Sequence, residues 1–374
     1  MTIGEFNEHI SPVLTHFTLP DPWTHLLFRG LHASTRAVVI RRLTSSDKRL
    51  SDTTLQLVVM SNEDEALYMY SDLQTLPDPR ANVYYFPCSR RRQRTDEAMA
   101  VERTKTLTAL ARGEQCIVVT YRQALEESVP PCKRLQTEQI SLQRGETISV
   151  SDLSEMLLSM GMTQVDFVYE PGQFAVRGGI VDVYSYSNEE PYRLDFFGDE
   201  LDSLRCFDIE TQLSKEQVAQ VQIVGRGGNE QEDTGIEDYL ANIENVVWVS
   251  DDWTNMLDSP LWHFIRDGRT IEMRSKSTFP DPEEIAFQTE PQPLFHKDFS
   301  LLISDLRQKI NSGYTIYILA DQKKQADRLQ AVMDNENASG AGVPISFIAV
   351  DRTLHSGWVD KTHRLACYTD HEIF

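Results

Sequence analysis

Residues Gly30 to Ala37, GLHASTRA, keep the frame of a phosphate-binding loop, G-x-x-x-x-G-K-[ST], between the apolar run HLLFR and the segment VVIRRL. In a working loop, glycines let backbone N–H groups approach the anion, a lysine reaches the β and γ phosphates, and a hydroxyl holds Mg²⁺. Here Gly30 is kept, Thr35 stands at the second glycine, Arg36 replaces the lysine and Ala37 replaces the hydroxyl. Arg36 preserves the charge on a bulkier planar fork, whereas Ala37 has no oxygen to offer a metal. The expectation is a degenerate loop that does not hydrolyse nucleotide, with a chance strand-turn-helix as the alternative. A nucleotide site also needs an apolar strand ending in two acids. Its counterpart is VVWVSDD, where Ser250 and Asp251 take the acidic positions, and a shift of one residue would make the pair Asp251 and Asp252.

A second candidate is the basic run Arg90, Arg91, Arg92 and Arg94. These guanidiniums could clamp DNA phosphates or an acidic partner, and a solvated turn or a clasp onto the chain's own acids is the alternative. Any nucleic-acid contact must be local, because 57 acidic against 36 basic residues give a net charge of −21, which opposes broad binding to a phosphate backbone. The histidines lack metal-ligand spacing, so no metal site is expected, and no Ser-His-Asp set can be assembled. Five cysteines without a C-x-x-C pair read as buried thiols. The first twenty residues lack a basic segment followed by an apolar one, and no run approaches a membrane span. A cytoplasmic location without membrane contact is expected.

The elements that would position these residues follow from periodicity. HLLF, LQLVVM, VYYF and CIVVTY read as buried strands, alternating with helical segments, the last closed by Gly113. Beyond Pro130-Pro131, a helix beginning near Asp152, with Glu155 at capping-box offset, precedes an antiparallel meander of VDFVY, QFAVR, IVDVYSY, YRLDFF and ELDSLRCF. The stretch from Gly225 reads as a linker or surface loop, and α/β texture resumes at VVWVSDDW. The expected fold is α/β: a doubly wound parallel sheet of phosphate-loop type over 1–128 and 216–292, an inserted antiparallel α+β domain over 129–215, and a small α/β domain over 293–374.

The meander displays a possible binding face. In PYRLDFFGDE the two-residue period buries Tyr192, Leu194 and Phe196 and turns Arg193, Asp195 and Phe197 to the opposite side. In QFAVRGG it buries Phe174 and Val176 and turns Arg177 outward. Arginines and a phenylalanine on an exposed sheet are residue types that dominate interface hot spots. The alternative places Phe197 under a loop and pairs both arginines with Asp195, Asp199 or Glu200.

The segment VYEPGQFAVRGGIVDVYSYSNEEPYRLDFFGDELDSLRCFD, Val168 to Asp208, resembles the middle domain shared by the nucleotide excision repair protein UvrB and the transcription-repair coupling factor family. LLFRGLHASTRA sits where UvrB has its functional ATP loop; PQPLFHKDF and TDHEIF resemble the coupling factor beyond its UvrB-like part. Loss of the loop lysine and hydroxyl, and of a long aromatic hairpin, favours the coupling-factor branch. The resemblance implies an amino-terminal fragment whose middle domain recruits UvrA, with the family's contact residues falling on Arg177, Arg193 and Phe197. It also implies that RNA polymerase, DNA, ATP and Mg belong to motor and binding parts of a longer polypeptide, an ATP-dependent DNA translocase, leaving this fragment non-catalytic and without a cofactor. Two competing functions remain: ATP binding or hydrolysis through His32, Arg36 and Asp251, and DNA binding through Arg90 to Arg94.

Overall fold

The computed structural model describes residues 1–15, 17, 19–20, 22–46, 55–78, 80–91, 94–95, 97–137, 139–188, 190–225, 234–295, 297–338, 340 and 342–374. Two compact units form. One comprises Met1–Val83 with Asn245–Phe374, and the other Tyr84–Glu244.

In the first unit, parallel strands lie in the order Glu283–Ala286, His25–Arg29, Arg269–Glu272, Val246–Ser250 and Leu55–Met60. Every residue of Leu55–Met60 is buried, as a continuous apolar run in a parallel sheet requires. The GLHAS turn leads from His25–Arg29 into the helix Thr35–Ser46. A second sheet has the order Thr289–Pro291, Trp358–Asp360, Leu365–Thr369, Thr315–Leu319 and Ile348–Val350. Its first two junctions are antiparallel and its last two parallel. Helices Phe299–Asn311 and Lys323–Ala338 bring Leu302, Leu306, Leu329 and Met333 onto its Ile316 and Ile318. Asp298 caps the first of these helices by accepting from the Ser300 and Leu301 amides. The second runs to Ala338, through the start of the expected loop DNENASGAGVP.

The helix Ile3–Leu14 belongs to this second sheet as well. Its Phe6 ring packs 5.2 Å from that of Tyr317 and 6.2 Å from that of Trp358. The Ile3 amide donates to Asp351 Oδ1 at 2.8 Å. An amphipathic sequence shows which face of a helix is apolar but not which surface that face covers.

In the second unit, a six-stranded sheet has the order Ser214–Gln217, Glu200–Phe207, Tyr192–Phe197, Ile180–Val183, Gln173–Arg177 and Thr163–Gln164. All junctions are antiparallel except the last, which is parallel. Phe174, Val181, Val183, Leu194, Leu201 and Leu204 enclose one core with Leu153 and Leu157 from the helix Val150–Ser159. Two expectations are corrected here. The helix starts earlier than Asp152: Ser149 is its N-cap and accepts from the Asp152 amide, so Asp152 occupies the third turn position and Glu155 closes no capping box. VDFVY is not a strand; pairing is confined to Thr163–Gln164, and Phe167 and Tyr169 are 50% and 58% exposed. The linker expected from Gly225 falls at 226–233, outside the described residues. Cys116, Cys132, Cys206 and Cys367 are buried as expected, while Cys88 is half-buried.

Candidate functional site

The loop at Gly30 is closed by its own unit. Gly30 has φ +85°, and a Cβ there would stand 2.2 Å from the Phe287 carbonyl oxygen, so no other residue fits this turn. The Gly30 carbonyl accepts from Thr289 Oγ1 at 2.8 Å, and the His32 amide donates to that same oxygen at 3.0 Å. The Ser34 amide donates to the Ser356 carbonyl at 3.4 Å, and the Ser356 amide returns a bond to Ser34 Oγ at 2.9 Å. The Thr35 and Arg36 amides turn onto the His32 and Ala33 carbonyls at 3.3 and 3.4 Å. The His32, Ser34, Thr35 and Arg36 N–H groups, which could have cradled an anion, therefore point to internal acceptors.

Thr35 and Ala37 are fully buried, and the Thr35 hydroxyl donates to the His32 carbonyl. Arg36 Nε donates to the Leu31 carbonyl at 3.4 Å, and its Nη1 lies 3.9 Å from Asp251 Oδ2. Asp251 also accepts from Ser61 Oγ at 3.1 Å. Ser250 ends its strand buried, its Oγ accepting from the Asp252 amide at 3.1 Å. Loop and strand end thus meet through a long ion pair between Arg36 and Asp251.

Asp72 ties this loop to its neighbours. It is 5% exposed, takes a hydrogen bond from Ser34 and accepts from the His355 amide at 2.6 Å. Burial pushes its carboxyl up to about 6, against the lowering effect of those bonds and of the His371 charge. The folded state thus holds a proton that the unfolded chain releases near pH 4. This contribution to stability is full below pH 4 and is lost as pH rises to 6. Asp72→Asn removes it. From pH 4 to pH 7 the stability of Asp72→Asn relative to the parent is expected to rise by on the order of 2 kcal/mol, measured by urea unfolding at each pH.

The other candidate lies on the six-stranded sheet, on the face opposite the Leu194 core. Arg193 Nε donates to Asp182 Oδ1 at 2.7 Å and Nη2 to Oδ2 at 2.9 Å. Arg177 Nη2 donates to the same Oδ2, so two guanidiniums share one fully buried carboxylate. Arg177 Nη1 also donates to the Asp166 carbonyl, and Arg193 Nη1 to the Gln212 carbonyl, both at 3.1 Å. The Arg193 guanidinium lies 4.5 Å over the Phe207 ring and that of Arg177 5.2 Å over Phe167. The hydrogen bond to Asp182 holds Arg193 above its ordinary pKa. Phe197, just before the Gly198 turn, is 82% exposed. It is not under a loop, and the acid that pairs with both arginines is Asp182 rather than Asp195, Asp199 or Glu200.

Residues 140–227 match the family model described as the UvrB interaction domain. A transcription-repair-coupling factor of Staphylococcus haemolyticus is 30% identical over 211 residues, 55% of this chain and 18% of that protein. Those of Staphylococcus epidermidis and Staphylococcus aureus are also 30% identical, over 203 and 201 residues, each 53% of this chain and 17% of the relative. Residues 140–227 are thus similar to the UvrB interaction domain, and about half of the chain is similar to transcription-repair-coupling factors. The match spans less than a fifth of the length of these relatives.

Arg177, Arg193 and Phe197 all fall within the UvrB interaction domain. So do Asp182 and Arg205, which sequence reasoning did not single out. Asp182 is an acid at the middle of the apolar run IVDVYSY, where a buried charge needs partners, and that was the available signal. The basic run Arg90 to Arg94 lies outside this domain: Arg90 pairs with Thr95 and Arg91 with Arg94 in a short ladder, and Arg92 is outside the described residues. Among the described residues, no group of three or more His, Cys, Asp or Glu side chains could hold a metal, and no helix is long and apolar enough to cross a membrane.

Proposed function

We propose that this chain recruits UvrA in transcription-coupled nucleotide excision repair, through the face of its UvrB interaction domain that displays Arg177, Arg193 and Phe197. The observation that carries this reading is Phe197, a large apolar ring 82% exposed on the same side of its strand as Arg193. A ring so placed is a natural interface anchor, buried when a partner supplies the pocket. The arginines meet acidic groups of UvrA through charge-assisted hydrogen bonds.

The Gly30–Ala37 loop is, in this reading, a phosphate-loop frame without nucleotide chemistry, part of a phosphate-loop-type domain built from 1–128 and 216–292. Inward-bonded amides and the missing hydroxyl at Ala37 support that assignment. Contacts with RNA polymerase and DNA, and an ATP- and Mg-dependent translocating motor, are assigned to other parts of the coupling factor, which acts in the cytoplasm. The reading expects no ATP turnover by this chain above the buffer rate.

Oxidative footprinting of the unaltered chain tests the assignment. With saturating UvrA, labelling of Phe197 is expected to fall several-fold, while Leu257 and Leu294, 48% and 63% exposed in the other unit, keep theirs. Unchanged labelling of Phe197 in the bound state would reject the site.

A further inference from the structure

The face of the UvrB interaction domain that bears Asp182 carries a third guanidinium. Asp182, Arg193 and Arg205 occupy directly opposed positions on three successive strands, so Arg193 and Arg205 face one another. Like charges directly opposite across an antiparallel pair are unfavourable unless anions separate them. Asp182 takes Arg193, while Asp195 takes Arg205 Nη2 and also accepts from Ser203 Oγ at 2.8 Å. The two facing guanidiniums are thus each held by a different carboxylate.

The two facing arginines differ in what they have left to offer. Arg193 uses Nε, Nη1 and Nη2 within the domain, and its side chain is 15% exposed. Arg205 makes one hydrogen bond among the described residues, to Asp195. Its Nε is buried without a partner, and its side chain is 34% exposed, close to the 36% of Arg177. A guanidinium has five N–H donors in a fixed fork; with Nε buried and one Nη2 bond made, Arg205 keeps its remaining Nη hydrogens for a partner. A carboxylate is the acceptor that matches this fork in two parallel bonds. A phosphate backbone is disfavoured, because Asp182, Asp195 and Glu200, which sits opposite Phe197, share the face, and the chain carries a net charge of −21.

We propose that Arg205 is a further partner-contacting residue, engaging a carboxylate of UvrA on the same sheet face as the Phe197 anchor. This rests on the assignment of UvrA to this face. The test is calorimetric titration of purified UvrA with the 374-residue chain and its variants, each checked for folding by circular dichroism. Arg205→Ala is expected to bind about tenfold more weakly, and Arg205→Lys to fall between it and the parent, since lysine keeps the charge and loses the fork. Arg144→Ala, at a guanidinium 68% exposed in the same domain, is expected to bind as the parent does. Parent-like affinity of Arg205→Ala, with Phe197→Ala weakened, overturns the role of Arg205 and leaves the UvrA assignment standing. Parent-like affinity of both removes the assignment and the inference together. Should Arg205→Ala fail to fold, Arg205→Lys decides, and parent-like affinity there overturns the proposal.

Discussion

Asp182→Ala is expected to lower the stability of the UvrB interaction domain by about 3–5 kcal/mol, the range for leaving a buried ion-pair partner uncompensated. The carboxylate is fully buried and receives three guanidinium hydrogen bonds, two from Arg193 and one from Arg177. Without it, Arg193 stays 15% exposed against Phe207 with only the Gln212 carbonyl to bond. Arg177 suffers less, since it reaches solvent and keeps the Asp166 carbonyl. Removing the cations singly is therefore the milder change: Arg177→Ala leaves Asp182 with both Arg193 bonds and should cost about 1 kcal/mol. Chemical denaturation of each variant measures the order, and a parent-like Asp182→Ala would mean that the shared carboxylate is structurally idle.

The largest effect expected on binding belongs to the triple variant Arg177→Ala, Arg193→Ala, Phe197→Ala. Its affinity for UvrA should fall at least a thousandfold, roughly 4 kcal/mol, because two charged anchors and one aromatic anchor are removed together from one contact. The three contributions are not additive. Removing Arg193 also strips Asp182 of its better partner, and removing both arginines leaves that carboxylate buried alone. Phe197→Ala is the cleaner single change. At 82% exposure the ring contributes little to the fold, so lost affinity at unchanged stability reads directly as lost contact.

Periodicity located the outward set on this face because a strand alternates sides strictly. Tyr192, Leu194 and Phe196 turn to the core, and Phe197 to solvent, as YRLDFF dictates. LQLVVM and CIVVTY became strands at their expected limits for the related reason that buried parallel strands read as unbroken apolar runs. What stayed hidden was long-range pairing. Asp182 meets Arg193 across eleven residues and two strands, and alternation alone says which side a residue takes, not which neighbour it bonds. The irregular register between Asp195 and Phe196 likewise blurred the place of Arg205 relative to Phe197. At Gly30 the motif showed which chemistry had been lost. It could not show that Thr289 and Ser356, more than 250 residues away in sequence, supply the bonds that hold the loop. The cap at Ser149 was missed because Asp152 and Glu155 satisfy the same spacing rule three residues later.

The most direct test of the central claim is a side-by-side calorimetric titration of purified UvrA with the unaltered chain and the triple variant, after circular dichroism and denaturation confirm that both are folded. The account predicts saturable binding by the unaltered chain and none by the variant over the same concentration range. Equal affinity of the two folded proteins would contradict it, and the face displaying Phe197 would then have no part in binding UvrA.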